Sequence, residues 1–328
     1  ERVAARMKER KIVIIGGGHG QGMICRGVKQ IPDVQISAIV TVADDGGSTG
    51  RLRRQFHIPA MGDIRNVMTA LSAEESMMNS LMNFRFEDPE GTGMDVQGHN
   101  LGNLILTAMT KQCGSFLEAV TMIGKVLNVR GTIIPATTQV IELYARMDDG
   151  VIVRGEANIP NVSNHIRQVF YDCKVQATPA AVEAIEQADL IIYGIGSVYT
   201  SILPNVIIPD IRLALAKTAA RRIYFCNAMT QPGETDGYSM EDHVQALLEH
   251  GAKVDGVVMA DDSIPEAIVQ RYKSQGSIPV HRRERAHDYA VYPCALLRFE
   301  NGLIRHDPQK IQAAVNRLLE NICHLPKM

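Results

Sequence analysis

The sequence has no closely spaced cysteines and no long hydrophobic run. Its six cysteines are scattered, with no C-x-x-C pair among them, which argues against a zinc ribbon or a disulfide framework and fits a reducing compartment. No apolar stretch approaches the roughly 18 residues that a membrane-spanning helix needs. The first ten residues are charged and lack the apolar segment of a signal peptide. We therefore expect a cytoplasmic protein without a membrane span.

An excess of charge of one sign is also lacking. The 34 basic and 36 acidic side chains nearly balance, so nothing global attracts nucleic acid or anionic lipid. The G-x-S-x-G elbow, the H-E-x-x-H motif, the kinase signatures and a lysine-bearing Walker A loop are absent as well. Any anion site must therefore be local, and we expect no nucleic-acid partner.

Short apolar strands that end in polar or glycine-rich loops recur along the chain. Residues 11–15 (KIVII) run into three glycines, a helical pattern follows at residues 23–31, and residues 36–42 form a second apolar run. This β–loop–α–β unit predicts a right-handed crossover and a parallel sheet. Further strands are predicted at residues 189–193, 222–226 and 255–259, and further helices at residues 211–219, 240–250 and 311–322. The fold class is therefore predicted to be α/β, with a Rossmann-like, doubly wound, mainly parallel sheet.

The middle of the chain has a different pattern. Apolar residues spaced three or four apart predict helices at residues 63–71, 75–85, 101–113 and 116–126. Antiparallel strands are predicted at residues 131–134, 139–147 and 151–156, with Asp148-Asp149-Gly150 as a hairpin turn. We interpret residues 1–328 as a single domain: a nucleotide-loop half at residues 11–130, a β-hairpin insert at residues 131–160 and a second α/β half at residues 180–328.

The first candidate site is the segment GGGHGQG, which follows the first strand. Glycine amides can approach a phosphate closely, and the following helix adds the positive end of its dipole. A tight strand-to-helix turn is the alternative without a ligand. The predicted phosphate contacts are Gly16, Gly17, Gly18, His19 and Gly20.

The second candidate site, ADDGGSTGR at residues 43–51, follows the second strand. Asp44 and Asp45 could coordinate Mg²⁺ while Ser48 meets a phosphate. In a dehydrogenase one of these acids would bind a ribose hydroxyl instead. A solvated Asx turn is the structural alternative.

Two predicted helix starts add further candidates. Asp63 is either a functional carboxylate or an N-cap, and Asn66, shortly after it, is a candidate ligand contact. His99 and Asn103 are possible ligand contacts on either side of Asn100, which is itself a candidate N-cap. A lone histidine in such a position is more often structural than catalytic.

Two later loops follow strands at the same predicted edge of the sheet. GIGSVYTS, at residues 194–201, offers a second anion cradle, and CNAMTQPGET, at residues 226–235, offers amides and hydroxyls suited to reading a base or sugar. Together with the earlier loops they predict one composite crevice. Tyr272 could stack on a base and Arg305 could pair with a diphosphate, although ordinary surface positions also explain both. The candidates in the two loops are Gly194, Gly196, Ser197, Tyr199, Thr200, Ser201, Asn205, Asn227, Thr230 and Gln231.

Taken together, these strings resemble the YvcK-type gluconeogenesis factors, relatives of the CofD 2-phospho-L-lactate transferases. The resemblance is carried by IIGGGHG, TVADDGGSTGRLR, GDIRNVMTALS, GHNLGN, GIGSVYTSILPN and CNAMTQPGETDGY. It runs from about residue 11 to about residue 305. It implies a Rossmann-like fold with a nucleotide-diphosphate site in the crevice.

The resemblance implies two alternative functions. The transferase branch moves a phospholactyl group from a guanylylated donor to a deazaflavin alcohol, with Mg²⁺ held by aspartates that match Asp63 and the Asp44-Asp45 pair. The regulatory branch is associated with UDP-sugar binding, notably UDP-N-acetylglucosamine, through residues that match Tyr272 and Arg305. That branch is required for growth on gluconeogenic carbon sources and for normal cell shape. An NAD(P)-dependent oxidoreductase is a weaker alternative, because the dinucleotide fingerprint is imperfect.

The sequence is closer to the regulatory branch. The transferase branch has a tryptophan just after its acidic pair, whereas Gly46 and Gly47 stand here and the chain contains no tryptophan. Two positions depart from the regulatory branch, since His19 replaces its usual threonine and Ile195 replaces a proline. The resulting prediction is a UDP-sugar-binding regulator, with catalytic Asp44, Asp45 and Asp63 only in a transferase. We also expect a protein partner in cell-envelope regulation and a homo-oligomer.

Overall fold

The structure is a computed structural model that describes residues 9–323 of the chain. The strands are β1 (Arg10–Gly16), β2 (Val34–Val40), β3 (Thr132–Pro135), β4 (Tyr144–Met147), β5 (Ile152–Arg154), β6 (Ile166–Phe170), β7 (Leu190–Tyr193), β8 (Arg221–Phe225), β9 (Gly256–Ala260), β10 (Ala290–Cys294), β11 (Leu297–Glu300) and β12 (Leu303–His306). The helices are α1 (Gly18–Val28), α2 (Gly47–Phe56), α3 (Gly62–Leu71), α4 (Glu75–Met82), α5 (Leu101–Cys113), α6 (Phe116–Val126), α7 (Pro179–Gln187), α8 (Leu203–Val206), α9 (Pro209–Lys217), α10 (Met240–Glu249), α11 (Glu266–Lys273) and α12 (Pro308–Cys323).

Within residues 9–323 the main sheet has seven strands in the order β10-β9-β8-β7-β1-β2-β3. Every neighbouring pair runs parallel, which confirms the predicted doubly wound α/β sheet. The chain builds one side from β1 to β3 and the other from β7 to β10, so the strand order reverses between β1 and β7. In such sheets a ligand crevice lies outside the carboxyl ends of the strands at this switch point.

The two strands that flank the switch point are the most deeply buried. Ile12, Ile14 and Ile15 of β1 and all four residues of β7 are inaccessible to solvent. A strand covered by helices on both faces is apolar at successive positions rather than alternately. This is why the sequence of both strands reads as a continuous apolar run.

The middle of the chain corrects one prediction and confirms another. The antiparallel strand predicted at residues 131–134 is wrong, because β3 runs parallel to β2, with Ser37 opposite Thr132. The chain returns to the sheet through α6, which packs against β3 and serves as the crossover. The predicted hairpin is confirmed by antiparallel β4 and β5, and β6 completes a second sheet in the order β5-β4-β6.

Two helices begin inside glycine-rich stretches that the sequence analysis interpreted as loops. α1 begins at Gly18 rather than at residue 23, and α2 begins at Gly47. Gly20 therefore lies in a helix, where an added Cβ would overlap the carbonyl oxygen of Ile195. Low helix propensity and few apolar residues hide both helix starts from a pattern based on apolar spacing.

In residues 9–323 no single helix is long and apolar enough to cross a membrane. The helical segments Val198–Val206 and Pro209–Lys217 reach the length and apolar composition of a membrane span only when they are taken together, and the chain bends between them. Within that pair, Ile202, Leu203 and Ile211 are fully buried in the protein core.

Candidate functional site

The loops that follow β1 and β7 meet at the switch point. The backbone of Gly20 lies so close to Ile195 that only glycine fits, and an added Cβ on Gly196 would lie 3.8 Å from the carbonyl oxygen of Gly17. Asn205 joins the two loops, since its Nδ2 donates to the carbonyl oxygens of Gly16 at 3.0 Å and Ser201 at 2.9 Å. The two predicted glycine cradles therefore share one rim of the crevice.

Asp63 lies beside the glycine segment after β1, and Asp44 lies beside the start of the helix that carries Asp63. An added Cβ on Gly17 would lie 2.6 Å from Oδ2 of Asp63, and one on Gly62 would lie 2.9 Å from Oδ2 of Asp44. The N-cap interpretation of Asp63 is wrong, because Met61 is the N-cap of α3 and makes no side-chain cap bond. Asp63 lies instead in the first turn of α3, so its carboxyl group is available to the crevice.

Burial and proximity change the proton affinity of this pair. Burial, together with the charge of Asp44, raises the pKa of Asp63 to about 7. Burial also raises the pKa of Asp44, although the backbone N–H of Gly46 donates to it at 2.9 Å. Two neighbouring carboxyl groups with raised pKa values favour a bound cation or a shared proton between them.

A short 3₁₀ helix, Glu156–Asn161, lies between two loops at the crevice, and we call it the strap. On one side, the backbone N–H of Ala157 donates to Oδ1 of Asp45 at 2.9 Å. On the other side, the carbonyl oxygen of Pro160 lies so close to Gly233 that an added Cβ there would overlap it. The strap therefore connects the loop after β2 with the loop after β8.

The strap adds an acidic residue that the sequence analysis missed. Burial raises the pKa of Glu156 to about 9, and the charges of Asp44, Asp63, Asp45 and Glu234 contribute in that order. In the sequence, Glu156 lies more than ninety residues from Asp44, Asp45 and Asp63. No local sequence pattern predicts a role for Glu156, because its proximity to the aspartates depends on the tertiary structure.

Glu234 is the second acidic residue that the sequence analysis missed. Its carboxylate accepts hydrogen bonds from the hydroxyl of Ser197 and from Oγ1 of Thr200, the latter at 3.0 Å. Burial raises its pKa. Ser197 and Thr200, both predicted ligand contacts, are therefore engaged by a carboxylate of the protein itself.

Arginine charges also act on the glycine segment. The pKa of His19 is lowered by burial and then by the charges of Arg65, Arg26 and Arg305. Arg305 is exposed on β12, and within residues 9–323 its side chain makes no hydrogen bond or ion pair. Tyr272 lies next to it, since its hydroxyl accepts a hydrogen bond from the backbone N–H of Ile304 at 3.0 Å. The predicted pair Tyr272 and Arg305 is therefore brought together on the side of His19.

Three other predicted contacts form a buried polar cluster between α2 and α5. Nδ1 of His99 lies 3.0 Å from the hydroxyl of Ser48, to which Nδ2 of Asn103 donates at 3.3 Å. Asn100 is confirmed as the N-cap of α5, because its side chain accepts from the backbone N–H of Asn103 at 3.2 Å. These mutual hydrogen bonds account for Ser48 and His99 without a ligand, whereas Oδ1 of Asn103 is buried and has no hydrogen-bond partner among the described residues.

The polar side chains of the loop after β8 differ in burial and in hydrogen bonding. Thr230 is buried and accepts from the backbone N–H of Ile278 at 3.0 Å. Nδ2 of Asn227 donates to Oε1 of Gln231 at 3.3 Å, and Gln231 remains partly exposed. The hydroxyl groups of Tyr199 and Tyr238 lie 2.7 Å apart. Asn227 and Gln231 thus remain the better placed candidates for a ligand contact in this loop.

A resident metal ion would need more ligands than the protein supplies by itself. In the described part of the chain, no group of three or more His, Cys, Asp or Glu side chains could hold a metal ion. Mg²⁺, however, is usually bound by one or two carboxylates together with substrate phosphates and water. Asp44 and Asp63 fit that partial donor set, so a phosphate ligand would have to complete the site.

The sheet and its crevice define a class of proteins: doubly wound α/β proteins with a glycine-lined, charged crevice at the switch point. Residues 12–294 match the family described as 2-phospho-L-lactate transferase CofD, and the chain belongs to this family.

Similar proteins match this chain over nearly its whole length. The gluconeogenesis factor of Bacillus subtilis (strain 168) is 44% identical over 316 residues, which cover 94% of this chain and 98% of that protein. The gluconeogenesis factor of Halalkalibacterium halodurans is 40% identical over 94% of this chain and 96% of its own length. The crystal structure of a UPF0052-family protein from Bacillus halodurans superimposes with a TM-score of 0.88 at 40% identity. The superposition covers 93% of this chain and 99% of the crystallised chain.

Proposed function

We propose that this protein is a regulator that binds a UDP-sugar, such as UDP-N-acetylglucosamine, and acts in gluconeogenic growth, cell-wall synthesis and cell shape. Relatives named gluconeogenesis factor, 40–44% identical over most of the chain, support the regulatory side of the family. A protein partner in cell-envelope regulation and a homo-oligomer belong to the same proposal.

The observation that carries the proposal is that arginine charges and a buried carboxyl group both act on the glycine segment at the start of α1. Gly17 lies beside the carboxyl group of Asp63, and the charges of Arg65, Arg26 and Arg305 act on His19. A diphosphate would lie on the backbone amides of Gly17 to Gly20, where the dipole of α1 favours negative charge. Arg305 would pair with it, and Tyr272 would stack on the base.

Isothermal titration calorimetry with UDP-N-acetylglucosamine tests the proposal. We expect saturable binding, with weaker or no binding of NAD(P) because the dinucleotide fingerprint is incomplete. The protein should be shown to be folded by circular dichroism in the same buffer. No heat at high micromolar ligand with folded protein would refute the proposal.

The second candidate function is a Mg²⁺-dependent transferase that moves a phospholactyl group from a guanylylated donor to a deazaflavin. The position of Asp63 beside the glycine segment, with the charge of Asp44 acting on it, favours this function, as does the family to which the chain belongs. Bound Mg²⁺ would neutralise phosphate charge, while Asp44 and Asp63 would hold it in place. Turnover of these two substrates that is lost in Asp63→Asn would establish this function in place of the regulatory one.

A further inference from the structure

The loop after β7 has the features of an anion cradle, but a carboxylate of the protein occupies it. Ser197 caps the short helical segment Val198–Ile202 by accepting from the backbone N–H of Thr200 at 2.9 Å. The hydroxyls of Ser197 and Thr200 then both donate to Glu234. Each hydroxyl has a single proton to donate, so neither can donate to a phosphate while Glu234 remains in place.

Glu234 is held by its own loop and cannot easily swing away. Its backbone N–H and that of Thr235 both donate to the carbonyl oxygen of Gln231, at 3.1 and 2.9 Å. The backbone N–H of Gln231 donates in turn to Oγ1 of Thr235 at 2.8 Å. Gly233 packs against the strap, and the side chain of Glu234 is only 6% exposed. The carboxylate is therefore a fixed part of the crevice wall.

A fixed carboxylate has two effects on a ligand. It repels a diphosphate from the Ser197–Thr200 side, because like charges in a partly desolvated site repel strongly. Its two oxygens also offer about four acceptor positions, of which the two hydroxyls use two. The remaining positions suit donors such as the hydroxyl groups of a sugar.

We infer that Glu234 is a specificity-determining residue that confines the diphosphate to the glycine segment beside His19 and Arg305 and accepts hydrogen bonds from the hydroxyl-bearing sugar. The inference rests on the proposed UDP-sugar binding and specifies which part of the ligand faces which wall. It also changes the role predicted for Ser197 and Thr200, which position Glu234 rather than contact phosphate.

Calorimetry with two probes, UDP-N-acetylglucosamine and inorganic pyrophosphate, tests this inference. Glu234→Gln keeps the shape but removes the charge. We expect it to weaken UDP-N-acetylglucosamine about tenfold through loss of a charge-assisted acceptor, and to strengthen pyrophosphate about tenfold through loss of repulsion. Glu241→Gln is the matched control, a buried glutamate that accepts from the backbone N–H of Arg283 and should change neither affinity.

A second variant guards against a loss of folding. Glu234→Asp keeps the charge but shortens the side chain, so it should weaken the UDP-sugar while pyrophosphate stays as weak as in the wild type. Parallel losses for both probes, or parallel gains, would overturn the inference even if the wild type binds UDP-N-acetylglucosamine. Failure of the wild type to bind that ligand would instead refute the proposed function and this inference with it.

Discussion

Arg305 lies on β12, almost 290 residues beyond His19 in the sequence, yet its charge helps to lower the pKa of that histidine. The sequence alone favoured an ordinary surface position for Arg305, and only the resemblance to a family suggested a ligand contact. The fold brings it to the crevice because α12, which follows β12, packs against α1. Gly27 of α1 lies so close to α12 that an added Cβ would be 2.9 Å from the carbonyl oxygen of Pro308.

We predict that Arg305→Ala weakens UDP-N-acetylglucosamine about 10- to 50-fold, because a bidentate arginine–phosphate pair is lost. Calorimetry measures the affinity. Arg298→Ala is the control, because Arg298 lies on the neighbouring strand β11 and pairs with Glu300 at 3.8 Å. Equal losses in both variants would contradict a specific role for Arg305.

Glu156 makes the stability of the empty protein depend on pH. Its pKa is about 9 in the folded protein against an ordinary value of 4.5, so the folded state holds an extra proton between these values. Stability contributed by the neutral carboxyl is therefore present at low pH and is lost as the pH rises through this window. We expect Glu156→Gln, which is always neutral, to melt roughly 3–6 °C above the wild type at pH 8.5 and close to it at pH 5.

Differential scanning fluorimetry across pH 5–9 measures this difference. Glu249→Gln, a change of an exposed glutamate on α10, supplies the control and should follow the wild type at every pH. A constant offset of Glu156→Gln over the whole range would show that the carboxyl titrates normally.

At the scale of elements, the first turns of α1 show why glycines follow β1. The sequence pattern predicted Gly20 in a phosphate loop, whereas in the structure it lies in a helix against the carbonyl oxygen of Ile195. The segment thus has two roles. Gly18, with a φ of +62°, and Gly17 bring the backbone next to Asp63, while Gly20 lets the β7 loop approach.

We expect Gly20→Ala to lower the free energy of unfolding by about 1–3 kcal/mol, because the new methyl group forces the β7 loop away. Gly124→Ala is the opposite control, since Gly124 lies within α6 with nothing near its Cβ position. That change should raise stability by up to about 1 kcal/mol through helix propensity. Urea denaturation measures both, and a stabilising Gly20→Ala would show that the two loops are not in contact.

The strap depends on Asp45 for one of its two attachments. Because Asp45 accepts from the backbone N–H of Ala157, Asp45→Ala should increase the hydrogen-exchange rate of that amide about tenfold or more. Asp45→Asn keeps an acceptor oxygen and should change the rate much less. Mass-spectrometric hydrogen exchange on a peptide covering residues 155–161 measures the effect, and identical exchange in both variants would contradict the attachment.

At the scale of the whole molecule, the sequence predicted the parallel sheet because buried parallel strands are continuous apolar runs. It predicted the shared edge of the crevice because carboxyl ends of parallel strands meet there. It did not predict β6, α2 or the strap, whose sequences are polar, short or glycine-rich. Glu156 and Glu234 were missed for the same reason, since their roles depend on contacts between distant loops. The single-domain organisation stays a prediction.

The crevice lies between the half of the sheet that holds β1–β3 and the half that holds β7–β10. A ligand bound there contacts both halves, so it should stabilise them together. At a hundredfold excess over its Kd, UDP-N-acetylglucosamine should add about 2.7 kcal/mol to stability and shift one cooperative melting transition upward. Calorimetric melting of the wild type checks this, and a shift confined to one of two resolved transitions would contradict it.

The strap also has a consequence for kinetics. Since it is attached on both sides, to Asp45 and against Gly233, we expect a ligand of the proposed site to enter or leave only when one attachment opens. Its association should therefore be slower than the diffusion limit. Dissociation should be slowed by the same barrier, so the bound form would outlast a brief fall in the concentration of free ligand.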